Sequence, residues 1–268
     1  MQQYTKQELI LRADNLGITY GEKVILRGIS FDIHNIVRPG LSQGQVVSLL
    51  GRSGIGKTQL FKMLAGLIRP TTGRVTIDTD QHEVQSGQVG VVPQNYILFN
   101  HRTIYQNLEL GLKNSGGGKR TTKEEQEIIG DYADKFNLTE HLKKYPPQLS
   151  GGQRQRVSII QQILTGNKFI LLDEPFSGLD ALMIDKVITL LLKVSNLNEM
   201  NTLIIVSHDI ENTLAISDTA FIIANQPDKQ GATLTETIDL ITPGFAWDPQ
   251  VRDNPQFKQL VKDIKFKI

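Results

Sequence analysis

The sequence predicts an α/β fold whose core is a mainly parallel β-sheet, joined to an antiparallel β subdomain and an inserted helical subdomain. Three patterns support this: short runs rich in Val and Ile, an earlier segment that alternates apolar and polar residues, and a later helical segment. The short runs are residues 46–50, 89–92, 169–172, 203–206 and 221–224. Buried parallel strands are continuously apolar because both faces are covered, and the intervening segments are long enough for crossover helices.

The other parts of the chain are assigned from their own patterns. Residues 11–20 and 24–33 alternate apolar and polar side chains near Gly and Asn turn signals, which favours antiparallel strands. Residues 99–164 are more polar and helical, and the Gly-rich stretch 114–120 is predicted to be a surface loop. Four prolines and a lysine-rich end predict that residues 226–268 form a C-terminal extension and not a second domain.

The overall composition narrows the possible functions. The 268 residues include 29 Lys and Arg against 28 Asp and Glu, so the formal charge of +1 gives no support to nucleic-acid binding. No run approaches the roughly 18 apolar residues of a membrane span. The first residues lack the pattern of a secretory signal, and there is no cysteine to form disulfides. These features predict a cytoplasmic protein.

The strongest local signal is a phosphate-binding loop directly after the predicted strand 46–50. The pattern G-x-x-x-x-G-K-[ST] lets backbone N–H groups surround a polyanion at the positive end of the next helix. Lys57 is predicted to reach the β- and γ-phosphates, and Thr58 to ligate magnesium. A Gly-rich turn that only caps a helix is the alternative. The residues assigned to this site are Gly51, Arg52, Ser53, Gly54, Ile55, Gly56, Lys57, Thr58 and Gln59.

An acidic pair follows the predicted strand 169–172, at the strand end where open α/β sheets bind their ligands. Asp173 is predicted to hold magnesium, directly or through water, and Glu174 to orient and deprotonate an attacking water. An isolated Asp-Glu-Pro is often only a surface turn, and the phosphate loop makes that alternative less favourable. A phosphate loop alone fits kinases, GTPases and ATPases equally.

A further glycine motif, Leu-Ser-Gly-Gly-Gln at 149–153, lies between the phosphate loop and the acidic pair. With the motifs in this order, residues 9–225 resemble the nucleotide-binding cassettes of ABC transporters, whose signature motif is Leu-Ser-Gly-Gly-Gln. The resemblance implies an ATPase with a RecA-like P-loop NTPase core, a helical subdomain at about 99–164, and ATP and Mg²⁺ as cofactors.

The same resemblance assigns roles to more distant residues. Tyr20 matches the aromatic residue that stacks on adenine, and Gln94 matches the Q-loop glutamine, a magnesium ligand that couples the site to the helical part. His208 matches the switch histidine, which contacts the γ-phosphate and helps to position the base and the water. Asp180 matches the D-loop aspartate that links two composite sites. The catalytic residues expected from these matches are Glu174, His208, Lys57 and Gln94.

The signature motif also predicts a dimer. Ser150, Gly151 and Gly152 begin a helix and offer a hydroxyl, N–H groups and a positive helix end, but no lysine of their own. By resemblance, these residues and Gln153 bind the γ-phosphate of an ATP held by a facing subunit. The expected partner is therefore a second ATPase subunit, as a head-to-tail homodimer that hydrolysis opens.

Other residues resemble those of bacterial importer subunits, namely residues 145–148, residues 153–157 and Phe176. Residues 95–99 and 103–108 resemble the stretch whose groove receives a coupling helix from a membrane subunit. The expected partners are transmembrane permease subunits and a substrate-binding protein, with the chain on the inner face of the cell membrane. The nitrate, sulfonate and taurine importers are the expected group. Export or lipid movement, and a soluble ATP-dependent dimer clamp without a membrane partner, remain as alternatives.

One segment departs from the family pattern. Residues 34–43 are longer than the usual short turn at this place, which predicts an extended surface hairpin. The tail after residue 226 is too short for the separate regulatory domain that sugar-importer ATPases carry.

Overall fold

A computed structural model of the chain describes residues 4–37, 44–116, 120–198 and 201–268. The hairpin predicted at 34–43 falls mostly outside these residues, as does the centre of the predicted Gly-rich loop. The described residues form two β-sheets and seven α-helices.

The larger sheet is the core of the molecule. Its strands are β3 (Gln45–Leu50), β6 (Gly90–Val92), β7 (Phe169–Asp173), β8 (Thr202–Ser207), β9 (Thr219–Ala224) and β10 (Thr233–Asp239). They lie in the order β10-β9-β3-β8-β7-β6, and all pairs are parallel except β9 with β10. Every residue of β3 and β8 is buried, which explains why these strands are mostly apolar and carry no charged residue. The predicted mainly parallel sheet is confirmed.

The smaller sheet is the predicted antiparallel subdomain. Its strands are β1 (Thr5–Tyr20), β2 (Lys23–Val37), β4 (Thr72–Ile77) and β5 (His82–Glu83), in the order β2-β1-β4-β5. Its apolar face packs on the larger sheet, where the rings of Phe31 and Phe221 lie 4.5 Å apart. The polar residues of the alternating pattern face away from this contact.

The helices are α1 (Lys57–Leu64), α2 (Ile104–Lys113), α3 (Thr122–Lys135), α4 (Gly151–Leu164), α5 (Ala181–Ser195), α6 (Ile210–Leu214) and α7 (Pro255–Lys267). The segment with helical periodicity contains α2, α3 and α4, and each of these begins with a capping box, at Thr103, Thr121 and Ser150. In the described ranges, the longest helix has 15 residues, and none offers the apolar stretch that a bilayer crossing needs.

The C-terminal extension is built into the core. Strand β10 forms the edge of the larger sheet beside β9. Helix α7 begins at a capping Asn254 and buries Phe257, Val261 and Ile264 in a cluster that also contains Leu50 from β3. Residues beyond 226 therefore complete the sheet and cover one of its faces.

A buried carboxyl group connects this extension to the strand that leads into the phosphate loop. Asp218 is fully buried, and its Oδ2 accepts a hydrogen bond from the N–H of Val46, at 2.8 Å. Its Oδ1 accepts a hydrogen bond from Nε1 of Trp247, also at 2.8 Å. Because Val46 lies near the start of β3, the extension helps to fix that strand.

Replacing Trp247 by Phe should remove the indole donor while keeping an aromatic ring. We expect the free energy of unfolding to fall by about 1–3 kcal/mol, because a buried carboxyl oxygen loses a hydrogen bond. Urea unfolding followed by circular dichroism measures this. Phe266→Leu, at a side chain that is 79% exposed on α7, is the control and should change stability by less than about 0.5 kcal/mol. An equal effect of both substitutions would contradict the assigned role of the Trp247 hydrogen bond.

Candidate functional site

The predicted site residues gather at one edge of the larger sheet. Strands β3, β8, β7 and β6 are neighbours and parallel, so their carboxyl ends lie side by side. The phosphate loop follows β3, His208 follows β8, Glu174 follows β7 and Gln94 follows β6. This edge is where open α/β sheets bind ligands.

Two glycines of the predicted phosphate loop lie where a side chain would collide with neighbouring atoms. Gly56, the N-cap of α1, has φ 108°, and a Cβ there would lie 2.8 Å from the side chain of Leu26. A Cβ on Gly51 would lie 2.6 Å from the carbonyl oxygen of Ile223. Helix α1 begins directly after Gly56 with Lys57 and Thr58, and Thr58 is exposed. The arrangement presents backbone N–H groups and a positive helix end.

Lys57 is the most buried cation of this loop, with its side chain only 6% exposed. Its ammonium group donates to the carbonyl oxygens of Gly51 and Arg52, at 2.9 and 3.0 Å. It also lies 3.4 Å from Oε1 of Glu174. All of these partner atoms are oxygens, so the positive charge of Lys57 lies between two loop carbonyl groups and the carboxylate of Glu174.

Glu174 occupies the centre of the site. Its backbone has φ 49°, a left-handed conformation that is uncommon outside glycine, and its N–H donates to the carbonyl of Val206 at 2.8 Å. Oε2 accepts hydrogen bonds from Ser207 Oγ at 3.3 Å, from the His208 N–H at 3.2 Å and from His208 Nδ1 at 2.7 Å. Strained backbone of this kind is often found at functional sites.

Ser207 is a site residue that the motifs did not identify. It is the last residue of β8 and buried, and its hydroxyl donates to Glu174 and accepts from the N–H of Asp209 at 3.0 Å. The available signal was its position directly before His208 at the end of a buried strand. His208 itself is half exposed.

Asp173 ends β7 beside Glu174. Burial raises the pKa of the Asp173 carboxyl group, the negative charge of Glu174 raises it further, and the positive charge of Lys57 opposes this shift. Two neighbouring carboxyl groups thus have different environments. Among the described residues, no three His, Cys, Asp or Glu side chains cluster closely enough to hold a metal without other ligands.

Three other predicted residues have well-defined partners. The hydroxyl of Tyr20 donates to Gln59 Oε1 at 2.9 Å, which places the half-exposed ring beside α1. Gln94 Nε2 donates to Ser177 Oγ at 3.1 Å, linking the end of β6 to the turn before α5. Asp180 is the N-cap of α5, where its Oδ1 accepts from the Met183 N–H at 2.9 Å. The structure therefore gives Asp180 a local capping contact.

The signature residues form the start of α4, apart from the phosphate loop. Ser150 caps the helix, and its side chain and that of Gln153 exchange hydrogen bonds with each other's backbone N–H. Gly151 and Gly152 have open space around them, since a Cβ at either would meet no atom within 4 Å. In the described part of the chain, no hydrogen bond or ion pair joins these residues to the phosphate loop.

A buried glutamine connects α4, the helix that begins with the signature residues, to the turn that follows Glu174. Gln155 is 2% exposed, and its Nε2 donates to the carbonyl of Pro175 at 3.2 Å, one residue after Glu174. The motifs did not identify this contact. A polar residue on the buried face of α4, in line with Ile159, was the available signal.

A family model described as "ABC transporter" matches residues 35–177, just over half of the chain. The chain belongs to the ABC transporter family. The expected family is thus confirmed, together with the expected ABC ATPase fold.

Relatives in the ABC family agree with this assignment. Sulfate/thiosulfate import ATP-binding protein CysA 1 of Agrobacterium fabrum is 36% identical over 213 residues, covering 78% of this chain and 61% of that protein. The uncharacterized ABC transporter ATP-binding protein YtlC of Bacillus subtilis is 33% identical over 263 residues, covering 95% of this chain and 94% of that protein. The chain spans only about three fifths of the length of the CysA relatives that it matches.

Solved structures share the fold of this ABC chain. The structure of cbiO1 from Clostridium perfringens, described as part of the ABC transporter complex cbiONQ, has a TM-score of 0.74 at 22% identity and covers 97% of this chain and 100% of that chain. The dimeric ATP-binding cassette MJ0796, bound to ADP and Pi, has a TM-score of 0.68 at 23% identity, covering 86% of this chain and 99% of that chain.

The charge environment of Asp173 yields a stability prediction. Because its pKa is raised in the folded protein, stability should fall as pH rises from the ordinary Asp range through the raised value, and then stay lower. Asp173→Asn removes this charge. We therefore expect its free energy of unfolding, in metal-free buffer, to exceed that of the wild type at pH 7 by more than at pH 3.

Urea unfolding at the two pH values measures this difference. Asp134→Asn, at an exposed aspartate of α3, is the matched control and should show little change. An Asp173→Asn variant that is less stable than the wild type at pH 7 would show that the carboxylate stabilises the fold.

Proposed function

We propose that the chain is the ATP-binding and ATP-hydrolysing subunit of an ABC importer, which drives solute import through separate membrane subunits. The observation that carries the proposal is the position of Glu174, whose carboxylate contacts both the phosphate-loop lysine and the histidine after β8. A base beside a phosphate site is the arrangement that hydrolysis of a nucleotide requires.

The residues of the loop suit ATP. Backbone N–H groups and Lys57 would bind the β- and γ-phosphates, with Lys57 exchanging its carbonyl contacts for phosphate oxygens. Tyr20, held beside α1 by Gln59, would stack on adenine. These assignments for the residues from Gly51 to Gln59 follow the order of the motifs along the chain.

The oxygen donors of the site fit Mg²⁺. Thr58 offers an exposed hydroxyl at the start of α1, Asp173 offers a desolvated carboxyl group whose raised pKa a cation would lower, and Gln94 offers an amide oxygen. Mg²⁺ binds few protein groups and takes the rest of its ligands from phosphates and water, which agrees with a site of dispersed donors. When bound, the ion neutralises charge that develops on the phosphate oxygens.

Hydrolysis would follow from the Glu174 geometry. Water attacks the γ-phosphorus in line with the bond to ADP, that bond breaks, and Glu174 accepts the proton of the water. The 2.7 Å contact with His208 Nδ1 orients the carboxylate, and a His208 ring with protons on both nitrogens would also donate from Nε2 to a phosphate oxygen. Glu174 and His208 have different roles, because Glu174 accepts the proton and His208 orients the carboxylate of Glu174.

A second copy of the chain would complete the site. Gly151 and Gly152 are not needed for packing within the chain, although glycine in a helix costs about 0.5–1 kcal/mol relative to alanine. Their open N-terminal turn suits close approach of a phosphate from a facing subunit. In such a head-to-tail homodimer, Asp180 would lie where the two composite sites meet. The structural relative MJ0796 is described as dimeric in a post-hydrolysis state.

A rigid apolar turn is the proposed docking site for a membrane permease subunit. Ile97 and Phe99 are 66% and 51% exposed, although both are large apolar residues. The fully buried Asn107 fixes this turn, since its side chain accepts from the Phe99 N–H at 2.8 Å and donates to the carbonyl of Phe99 at 3.2 Å. A coupling helix of a permease on the inner face of the membrane would cover these side chains.

The substrate is proposed only as a class. The CysA relatives are named for sulfate and thiosulfate import, and the nitrate, sulfonate and taurine group predicted from the sequence also handles oxyanions. We therefore propose a small oxyanion, delivered by a substrate-binding protein, with the narrower nitrate, sulfonate and taurine group retained as a prediction.

Glu174→Gln tests the hydrolytic site. The amide cannot accept the proton, so the ATPase rate should fall by at least about 100-fold while ATP remains bound. Size-exclusion chromatography with ATP and Mg²⁺ should then show a dimer. Lys57→Ala in the same background should return the protein to a monomer, because phosphate binding is lost.

Glu127→Gln, the same change on an exposed face of α3, should keep the wild-type rate and serves as the control. A Glu174→Gln chain that stays monomeric with ATP would argue against the ATP-dependent dimer. A rate close to the wild type would argue against Glu174 as the base.

The docking turn gives a second test. Replacing Ile97 and Phe99 together by Asp should reduce co-purification of a multi-spanning membrane subunit by about tenfold or more, because apolar anchors dominate such interfaces. The ATPase rate of the isolated chain should change little. Tagged chain recovered from membranes of the native cell, followed by identification of bound proteins, measures the effect.

Leu67→Asp, at an apolar side chain that is 48% exposed after α1, is the control. If the wild-type chain repeatedly purifies without a membrane subunit, the soluble clamp becomes the better assignment. If the doubly substituted chain keeps its partner, the docking surface lies elsewhere.

A further inference from the structure

We propose that His141 is a positioning residue of the signature motif, which holds Ser150 in place through the side chain of Gln153. The inference rests on the proposed function, because the signature motif has a role only if it meets a nucleotide. His141 ends a short 3₁₀ turn at Thr139–His141, well before α4 in sequence. No motif in the sequence points to it.

The contact is a short chain of hydrogen bonds. Gln153 Oε1 accepts from the Ser150 N–H at 2.9 Å, and the Gln153 N–H donates to Ser150 Oγ at 3.3 Å. Gln153 Nε2 then lies 2.9 Å from Nε2 of His141. The amide orientation is thus fixed at both ends, with its oxygen on the helix cap and its nitrogen on the imidazole.

This chain determines the tautomer of His141. An amide NH₂ group is only a donor, so Nε2 of His141 must be an acceptor and the proton of the neutral ring must be on Nδ1. Nδ1 is buried and has no hydrogen-bond partner among the described residues. Such a group costs about 1–3 kcal/mol, and an uncompensated donor of this kind calls for a functional explanation.

The segment between α3 and α4, which contains His141, contacts α4 at a second point. Arg156 of α4 donates to the carbonyl oxygens of Gly152 at 3.3 Å and Phe136 at 3.0 Å. Phe136 follows α3 directly and lies five residues before His141. The segment after α3 therefore fixes both the first turn of α4, through Arg156, and the cap of α4, through His141.

The functional consequence concerns the geometry of the cap. Ser150 Oγ already accepts one hydrogen bond from Gln153 and keeps its own proton for a ligand. If the Gln153 amide loses its hold on His141, it gains rotational freedom and the Ser150 N–H loses a fixed acceptor. The signature surface is then less preorganised for a phosphate, whereas the phosphate loop is unaffected.

Three substitutions separate the acceptor from the bulk of the ring. His141→Gln places an oxygen three bonds from Cβ, as Nε2 is, and should preserve the contact. His141→Asn places its oxygen only two bonds from Cβ, where Nδ1 is, and should not. His141→Leu fills similar space without any acceptor.

The effect is measured on dimer formation. In the Glu174→Gln background, His141→Leu and His141→Asn should weaken ATP-dependent dimerisation by about three- to tenfold, the effect of one hydrogen bond. His141→Gln should restore the affinity to within about twofold. In the chain with Glu174 intact, kcat should fall in the same order while ATP binding to the monomer, followed by a fluorescent ATP analogue, stays constant.

The tautomer gives a readout that does not depend on activity. Long-range ¹H–¹⁵N correlation spectra at neutral pH should show His141 protonated on Nδ1 and not on Nε2. A proton on Nε2 would overturn the proposal, because the Gln153 amide then has no acceptor. Equal dimerisation in all three variants and the wild type would also overturn it.

Failure of the proposed function looks different. If the chain with native His141 neither dimerises with ATP nor hydrolyses it, the ATPase assignment fails, whatever the tautomer. If the native chain does both and the His141 variants dimerise and hydrolyse ATP equally well, only the positioning role of His141 fails. Equal loss of monomer ATP binding in the Leu and Gln variants would indicate a merely structural role.

Discussion

The geometry of the site depends on the contacts that the carboxylate of Glu174 makes with Lys57, Ser207 and His208. Its two oxygens contact Lys57 on one side and Ser207 and His208 on the other, so one side chain joins the ends of three parallel strands. The left-handed backbone of Glu174 and its N–H bond to Val206 aim the carboxylate at this point. Removal of the Glu174 charge would leave the buried ammonium of Lys57 with the carbonyl groups of Gly51 and Arg52 as hydrogen-bond partners and with Asp173 as a nearby negative charge.

The second half of the site is tied to this centre by few contacts. Gln155 connects α4 to the turn after Glu174 with one buried hydrogen bond, and Gln94 connects the end of β6 to Ser177. The first of these links joins α4, which begins with the signature motif, to the turn after β7, and the second joins two loops at the edge of the larger sheet. A shift of α4 would therefore move the turn after Glu174 through Pro175, which links the helical part to the proposed nucleotide site.

The strand before the phosphate loop is held at both ends. Near its start, Val46 donates to Asp218, which Trp247 of the C-terminal extension also contacts. Beyond its end, Lys57 contacts Glu174. The extension thus helps to support the strand that leads into the proposed nucleotide site. Its burial of Phe257 against the sheet supplies the apolar area that keeps this support in place.

The sequence by itself determined the parts that depend on short-range pattern. Apolar runs predicted the buried strands, and the glycine spacing before Lys57 predicted a tight loop between β3 and α1, because strand burial and a tight turn impose these residue types locally. Only the tertiary structure decided the partners of Glu174, the contact of Gln155 with Pro175, and the place of residues 226–268 in the sheet. The reason is physical: each of these depends on which strands are neighbours, and periodicity along the chain does not specify the order of strands in a sheet.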